Sequence, residues 1–233
     1  MKVAAFSDVH ARADGLRAVL AAAVDAGVDE LWSLGDLVGG GPDPVEVVRM
    51  VRAWCRVALA GNHDYGATGS VDASRFGEAG HRSVVRHAEM LAPGDREWLR
   101  RRRPAARRAG VQCWHASPRD PVREYVGAAN AGACLQRQRE RLGLIGHTHA
   151  PAAWRAGAGG SAERVRIEPD RPLALGDEAR WLLNPGAVGA PAPPVRDPEA
   201  AMAEHARAGA WWLELDLGAR VATWRRAPFA AEV

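Results

Sequence analysis

Seven residues with metal-binding side chains follow short apolar stretches at five places along the chain. They are Asp8, His10, Asp36, Asn62, His115, His147 and His149. Each apolar stretch has the length and composition of a buried strand. Because ligands of an open α/β sheet bind at the carboxyl ends of its strands, we expect these side chains to meet at one edge. A single D-x-H or H-x-H pair is weak evidence for a site, but five successive strand ends are hard to explain by chance.

The donor set indicates which ions such a site would hold. Mn²⁺, Fe²⁺, Co²⁺ and Zn²⁺ accept imidazole and carboxylate ligands together, whereas Mg²⁺ and Ca²⁺ prefer sites made of oxygen alone. Two aspartates, one asparagine and four histidines are too many donors for one tetrahedral ion, but they suit two ions that share a carboxylate. Two ions about 3.5–4 Å apart form a clamp that polarises phosphate esters and converts a bridging water to hydroxide.

The elements that must position these residues alternate in the first third of the chain. Strands are predicted over residues 2–6, 30–34 and 56–60, with helices over 16–26 and 45–54, which is the pattern of a parallel sheet with crossover helices. Residues 74–102 are predicted to be helical with a break near Pro93, and a further helix over 128–139 separates strands at 110–114 and 141–145.

After Pro151 the pattern changes to short segments separated by Gly/Pro-rich loops, which is typical of antiparallel strands. These segments are residues 152–156, 164–167, 181–183, 211–217 and 221–225. Residues 189–207 are predicted to form an exposed, mobile loop. Since the later strands are too few and short for an independent core, we expect a single domain over residues 1–233, with two packed sheets.

Composition excludes several classes of protein. A chain of 233 residues that is 47% hydrophobic and 25% charged is an ordinary globular protein, and its formal net charge of +3 suits an anionic substrate. The three cysteines are scattered without a C-x-x-C pair, so we expect neither a disulfide framework nor a cysteine zinc site. The chain has no signal-like or membrane-spanning apolar run, which favours a cytoplasmic protein.

The polar motifs, taken in order, resemble the signature of the calcineurin-like metallophosphoesterase superfamily. They read D-V-H (8–10), G-D (35–36), G-N-H-D (61–64), H (115) and G-H-T-H (146–149), and weaker likeness continues through N-P-G-A-V-G at 184–189. H-A-S-P-R-D-P (115–121) and G-D-L-V-G-G-G-P-D-P (35–44) are similar to the small bacterial and archaeal branch of YfcE-like phosphodiesterases. The resemblance implies an α/β (α+β) fold of four layers, in which two mixed β-sheets pack as a sandwich flanked by α-helices.

The resemblance also implies a role for each motif residue. One metal would be held by Asp8, His10 and His149, the other by Asn62, His115 and His147, with Asp36 bridging the two ions. His63 would contact the phosphate or protonate the leaving group, and Asp64 would orient His63 through a hydrogen bond. If G-H-T-H is extended, its two histidines project to the same side and each reaches a different ion.

Two positions depart from the branch. Ala11 and Arg12 stand where a glycine–asparagine pair usually follows the D-x-H motif. Arg12 is a candidate phosphate ligand, because a guanidinium group can contact two phosphate oxygens at once. The alternative is that Arg12 points into solvent from the first helical turn. Gly40 replaces a frequent aromatic residue, which would open the mouth of the site.

Other polar features are interpreted as structural. The arginine run at residues 98–108 (W-L-R-R-R-R-P-A-A-R-R) is read as a solvated helix end, with a nucleic-acid patch at residues 100–103 as the alternative. His81, His87 and His205 are expected on the surface.

The sequence therefore predicts a metal-dependent phosphoesterase. It would hydrolyse a phosphomonoester or phosphodiester, with a nucleotide as one candidate, by attack of a metal-bridging hydroxide at a dinuclear site. The cofactors are two divalent transition-metal ions, Mn²⁺ first, with Fe, Co, Ni or Zn as alternatives. The expected partner is a small phosphate ester or nucleotide, with no membrane; a homo-oligomer is left open, and a nucleic acid is left open but not favoured. Two alternatives remain open at this point, a non-catalytic scaffold on the same fold and a nuclease acting on DNA or RNA ends.

Overall fold

The computed structural model describes residues 1–157, 161–190 and 198–229. The strands within these ranges, in chain order, are β1 (Lys2–Phe6), β2 (Glu30–Ser33), β3 (Cys55–Ala58), β4 (Ala105–Arg108), β5 (Val111–Trp114), β6 (Leu142–Leu144), β7 (Ala152–Ala156), β8 (Ala162–Val165), β9 (Leu173–Ala174), β10 (Arg180–Asn184), β11 (Ala210–Asp216) and β12 (Val221–Ala227). The α-helices are α1 (Ala13–Asp25), α2 (Pro44–Trp54), α3 (Asn62–Ala67), α4 (Gly77–Met90), α5 (Pro93–Arg100), α6 (Ala131–Arg137) and α7 (Pro198–Ala208), and a 3₁₀ turn spans Ala73–Phe76.

The strands form two mixed sheets. The first has the order β3-β2-β1-β11-β12-β9 and the second has the order β4-β5-β6-β10-β7-β8. In the first sheet β1, β2 and β3 are parallel, and β11 pairs with β1 in the antiparallel direction. In the second sheet β5, β6 and β10 are parallel. The parallel strands lie at one side of the first sheet and in the middle of the second, and their carboxyl ends carry the motif residues.

Side-chain alternation along the strands explains why the two sheets pack as a sandwich. In β1, Val3 and Ala5 are fully buried in a cluster shared with the second sheet, whereas Ala4 and Phe6 pack with residues of α1 and α2. Because successive side chains of a strand point to opposite faces, one apolar strand contributes to both layers of core. On the other side of the second sheet, Leu182 and Trp154 pack with α6.

This arrangement confirms the expected fold, in which two mixed sheets are flanked by helices. The βαβ pattern of the first third and the late antiparallel strands are also confirmed. Besides the two-residue strand β9, the elements missed in these regions are the short helix α3, which starts inside the G-N-H-D motif, and the strand β4, which lies inside the arginine run. The strand β4 pairs antiparallel with β5, so cross-strand hydrogen bonding overrides the local charge density there.

The expectation of a mobile loop over residues 189–207 is wrong for the part that the structure describes. Helix α7 begins at Pro198, and residues 191–197 lie outside the described residues. Proline at the first helical position followed by an alanine-rich segment favours a helix, a signal that the preceding P-A-P-P run obscured. His205 of α7 is buried and shares a hydrogen bond of 3.0 Å between its Nε2 and the carbonyl of Val188, so its expected surface position is also wrong.

In the part of the chain that the structure describes, none of the helices combines the length and the apolar character needed to span a bilayer.

Candidate metal centre

The structure brings all seven candidate ligands to one place, where the carboxyl ends of both sets of parallel strands meet. Asp8 and His10 follow β1, Asp36 follows β2, and Asn62 opens α3 after β3. His115 comes directly after β5, and the remaining two histidines follow β6. Six of the seven side chains are buried, and His149 is half-buried. The cluster thus lies between the two sheets and draws on both.

The first group of donors consists of Asp8, His10 and His149, whose ligand atoms all lie within 4.8 Å of one another. The Nε2 atoms of His10 and His149 are 3.0 Å apart. The Nε2 of His149 lies 3.8 Å from the Oδ1 of Asp8. A carboxylate and two imidazoles in this arrangement suit a borderline divalent ion.

The second group consists of Asp36, His115 and His147, again within 4.8 Å of one another. The Oδ1 of Asn62 lies 3.1 Å from the Nε2 of His115, so this amide oxygen faces the same space. The two histidines of G-H-T-H therefore belong to different groups.

Asp36 lies between the two groups. Its Oδ2 is 3.8 Å from the Nε2 of His10, and its Oδ1 is 3.6 Å from the Nε2 of His115. The two oxygens of one carboxylate thus face imidazoles of different groups. Asp36 thus connects the two groups of donors.

Backbone carbonyls fix the direction of the imidazoles. The Nδ1 of His10 lies 2.6 Å from the carbonyl oxygen of Gly39, and the Nδ1 of His115 lies 3.0 Å from that of Leu34. Since a carbonyl can only accept, both Nδ1 atoms must donate, and each Nε2 keeps its lone pair for the cluster. Such outer hydrogen bonds orient metal-binding histidines.

Unusual backbone conformations supply the positions of the donors. Asp8, His10, Asp36, His147 and His149 all have φ between 48° and 63°. Residues with a Cβ rarely adopt this left-handed region, and such strain concentrates at functional sites. The expectation that G-H-T-H is extended is therefore wrong. Both histidines adopt the left-handed conformation, and their ligand atoms belong to different donor groups.

Burial and mutual repulsion shift the ionisation of the cluster. Burial, reinforced by neighbouring imidazoles, lowers the pKa of His63 and of His147 to about 3 and depresses the pKa of His10. Burial, reinforced by the charges of Asp64 and Asp8, raises the pKa of Asp36 well above its usual range. Neutral imidazoles are ready to donate their lone pairs, and a buried carboxylate without a cation is costly.

The same observations test whether the residues fit a divalent metal. Desolvated carboxylates crowded by like charges are destabilised in their charged form. A bound cation would favour that charged form instead. Six of the seven donors are buried, carbonyl oxygens fix the tautomers of His10 and His115, and the set combines carboxylate, amide and imidazole ligands. The residues fit borderline divalent metal ions.

His63 lies beside the cluster, and its contacts do not include the expected hydrogen bond to Asp64. Its backbone N–H donates to the Oδ1 of Asp36 at 2.9 Å, and its ring stacks on Phe76 with centroids 4.9 Å apart. The buried Nδ1 of His63 has no hydrogen-bond partner among the described residues.

Asp64 does not orient the His63 ring, so that expectation is corrected. Its carboxylate accepts hydrogen bonds from the backbone N–H groups of Gly61, Leu37 and Val38 at 2.9, 2.9 and 3.1 Å. Asp64 is the third residue of α3, where a carboxylate reaches back to the helix N-terminus. It therefore ties α3 to the loop that carries Asp36.

Arg12 is held by a carboxylate rather than pointing into solvent. Its Nε donates to Asp14 at 2.9 Å and its second guanidinium nitrogen donates to the same carboxylate at 2.5 Å. The side chain is 13% exposed, and the guanidinium lies 5.4 Å from the ring centroid of Phe229. One bidentate edge of Arg12 is thus occupied by Asp14.

Three residues near the cluster were missed by sequence reasoning. The first is His87 of α4, expected on the surface, which is buried and accepts a hydrogen bond from the backbone N–H of Gly39 at 2.9 Å. The second is Asn184, which donates to the carbonyl of Gly146 at 2.7 Å and to Thr148 at 2.9 Å. Its place in the N-P-G-A-V-G likeness was the signal that would have found it.

The third missed residue is Tyr125, whose ring stacks on His147 with centroids 4.0 Å apart and an interplanar angle of 28°. Partial burial, together with the charges of Asp36 and Asp8, raises the pKa of its hydroxyl. No local pattern in the sequence marks this residue.

Comparison with known proteins agrees with this geometry. The profile of the calcineurin-like phosphoesterase family matches residues 1–151. The crystal structure of a metallophosphoesterase from Sphaerobacter thermophilus superposes with a TM-score of 0.78 at 29% identity, covering 99% of this chain and 90% of that one. An uncharacterized protein of Methanocaldococcus jannaschii is 26% identical over 200 residues, which are 81% of this chain and 76% of that protein.

A shorter match is to a symmetrical bis(5'-nucleosyl)-tetraphosphatase from Baumannia cicadellinicola. It is 44% identical over 61 residues, which are 24% of this chain and 21% of that protein. The family profile covers 151 of the 233 residues and includes every candidate ligand. The resemblance seen in the motifs is confirmed, and the chain belongs to the calcineurin-like phosphoesterase family.

Proposed function

We propose that the protein is a metal-dependent phosphoesterase that hydrolyses a phosphomonoester or phosphodiester, with nucleotides as the favoured class. The observation that carries this proposal is the position of Asp36, whose two oxygens face His10 at 3.8 Å and His115 at 3.6 Å in separate donor groups. A shared carboxylate is what distinguishes a two-ion phosphoesterase site from a single structural metal.

In this proposal one ion would be held by Asp8, His10 and His149, and the other by Asn62, His115 and His147, with Asp36 available to both. Mn²⁺ is proposed first, with Fe, Co, Ni or Zn as alternatives. All of these ions accept mixed sets of imidazole and carboxylate ligands. When bound, the ions supply positive charge that polarises phosphate oxygens and lowers the pKa of water.

His63 is proposed to contact the phosphate and to protonate the leaving group. In the metal-free protein, burial, reinforced by neighbouring imidazoles, holds the pKa of His63 near 3, so the ring is neutral. A phosphate anion next to His63 favours the imidazolium form, which raises the pKa toward the range useful for a general acid. The backbone N–H of His63 is fixed on Asp36, so the ring stays beside the donors.

The proposal of a nucleotide substrate draws on the relatives. The Baumannia protein is a tetraphosphatase acting on a bis(5'-nucleosyl) compound, and it shares 44% of 61 residues with this chain.

The arginine run offers little support for a nuclease. Arg100 and Arg101 pair with Glu97, while Arg107 pairs with Glu140. Glu97 and Glu140 therefore compensate part of the positive charge of this run, which weakens its attraction for a polyanionic backbone.

The test of the proposed function is hydrolysis of p-nitrophenyl phosphate and bis(p-nitrophenyl) phosphate by protein loaded separately with Mn²⁺, Co²⁺, Ni²⁺ or Zn²⁺. Metal content is measured on the same samples by atomic emission. We expect turnover that depends on metal and about two ions per chain. Protein that holds the metal but hydrolyses neither ester with any of the four ions would contradict the enzyme and favour a non-catalytic scaffold.

A further inference from the structure

We propose that Tyr125 is a stacking platform for the base of a nucleoside phosphate and thereby selects the substrate at the metal centre. This inference rests on the proposed function, because it names the substrate class of the same site.

The position of the Tyr125 ring is the main evidence. One face of the ring packs on His147, a proposed ligand, at 4.0 Å between centroids, yet the residue is 60% exposed. Single exposed apolar residues are common on protein surfaces and need no explanation by themselves. Tyr125, however, is the one of the six large exposed apolar residues in the described ranges whose ring contacts a histidine of the cluster. The open ring surface therefore borders the reaction site.

The loop that carries Tyr125 is anchored on both sides. The Nδ2 of Asn130 donates to the carbonyl of Tyr125 at 2.9 Å and to Glu124 at 3.2 Å. The next residue, Val126, is buried. The carbonyl of Arg123 accepts from the Nε2 of His147 at 3.2 Å, which ties the loop to the cluster. A ring held in this way loses little conformational freedom when a ligand stacks on it.

A cation on the same loop adds to the match with a nucleotide. Arg123, two residues before Tyr125, is exposed. A cation and an open aromatic face on one loop suit a ligand that joins a phosphate to a π-system. An aliphatic phosphate ester would gain from the cation but not from the ring. The shared chemistry is therefore that of a nucleobase linked to phosphate.

The test measures binding of adenosine 5'-monophosphate and of inorganic phosphate to the metal-loaded protein by calorimetry. The quantity compared is the Kd for the nucleotide divided by the Kd for phosphate, which removes any effect of a variant on the phosphate site itself. We expect this ratio to rise about tenfold in Tyr125→Ala, the effect of losing one base–aromatic stack. Tyr125→Leu, which keeps an apolar contact with His147 but has no π face, is expected to raise the ratio equally.

Two variants serve as controls. Tyr125→Phe keeps the ring and is expected to restore the ratio to within about twofold of the wild-type value. Trp54→Ala removes another exposed aromatic, 67% exposed at the end of α2, and is expected to leave the ratio unchanged.

The outcomes separate the two proposals. A ratio that stays within about twofold of wild type in both Tyr125→Ala and Tyr125→Leu overturns the stacking platform and leaves the phosphoesterase proposal standing. A loss in Tyr125→Phe as large as that in Tyr125→Ala also overturns the platform, since the hydroxyl would then be responsible. Metal-loaded wild-type protein that binds neither probe and hydrolyses no phosphate ester overturns the proposed function and the platform with it.

Discussion

At the scale of single residues, the buried charge of Asp36 lowers the stability of the metal-free fold but serves the candidate metal centre. Its buried carboxylate is destabilised by desolvation and by the charges of Asp64 and Asp8, which raise its pKa. The same carboxylate faces both donor groups. Stability and function therefore make opposing demands on this position, as is common at active sites.

Substituting Asp36→Asn tests this conflict. The amide keeps the shape of the side chain and removes the charge, so we expect the metal-free variant to be at least as stable as metal-free wild type in a thermal melt. We also expect metal content to fall from about two ions per chain to one or fewer, because an amide is a poorer bridge than a carboxylate. Asp43→Asn, at the start of α2 outside the cluster, is the matched control. An Asp36→Asn protein that still holds two ions would argue against a shared carboxylate.

The role of His63 is tested by His63→Ala. Loss of a general acid lowers turnover about 10²- to 10⁴-fold, so we expect kcat to fall in that range while metal content stays the same. His81→Ala, an exposed histidine of α4, should leave both quantities unchanged. If metal content falls in the His63 variant, His63 is a ligand, which its position within 4.8 Å of donors of His10 and Asp36 would also allow.

At the scale of elements, the loop between β2 and α2 transmits packing to the cluster. The carbonyl of Gly39 accepts from His10, and its N–H donates to His87 of α4. Gly39 has φ of +82°, and a Cβ placed there would come within 2.2 Å of the His63 Nδ1. Only glycine allows the loop to pass this close to the imidazole. Helix α4 thus holds a loop that accepts a hydrogen bond from His10 and packs against the ring of His63.

Comparing Gly39→Ala with Gly27→Ala separates backbone strain from steric displacement. Gly27 has a similar φ of +64°, but an added Cβ meets nothing within 4 Å. A left-handed conformation costs an L-residue about 1–2 kcal/mol, so both variants should lose that much in the free energy of unfolding measured with denaturant. Gly39→Ala must also move the His63 ring, and we expect its kcat to fall at least about tenfold. Equal activity in the two variants would mean that the ring position is unimportant.

At the scale of the whole molecule, the sandwich concentrates ionisable groups in the space where its two sheets meet. His63 and His147, with pKa values near 3, stay neutral in the folded metal-free protein over a range where free histidines, with an ordinary value of 6.5, are protonated. Between these values the unfolded chain binds more protons, so stability rises with pH and is lost as pH falls. Asp36 and Asp64 have raised pKa values, so in the folded protein they bind protons more readily than in the unfolded chain. Their contribution to stability therefore increases as pH falls.

Histidines with a depressed pKa outnumber these two carboxylates. They are His10, His63, His87, His115, His147 and His205. We therefore expect the Tm of chelator-treated protein to fall by on the order of 10 °C between pH 7 and pH 5, measured by calorimetry. A Tm that is constant or rises over this interval would show that the imidazoles are open to protons in the folded state.

Much of the site was predictable because its residues sit at strand ends. Asp8, Asp36 and His115 each come after an apolar run that buries itself as a strand, and the carboxyl ends of parallel strands lie at one edge of a sheet. The predictions were wrong where tertiary packing, and not a local sequence pattern, decided the burial of a residue. His87 reads as a polar helical residue, and only the packing of α4 on the loop at Gly39 buries it.

The sequence by itself determined which residues meet, since side-chain alternation and strand order follow from local periodicity and chain connectivity. The tertiary structure decided how they meet. The contact between His10 and His149 joins residues 139 positions apart, and both residues have a left-handed φ that no local pattern in the sequence predicted. The hydrogen bonds of Asp64 to α3 and to the loop at Leu37, and the ring of Tyr125 on His147, have the same origin. Such contacts depend on distances across the fold, and no short stretch of sequence encodes those distances.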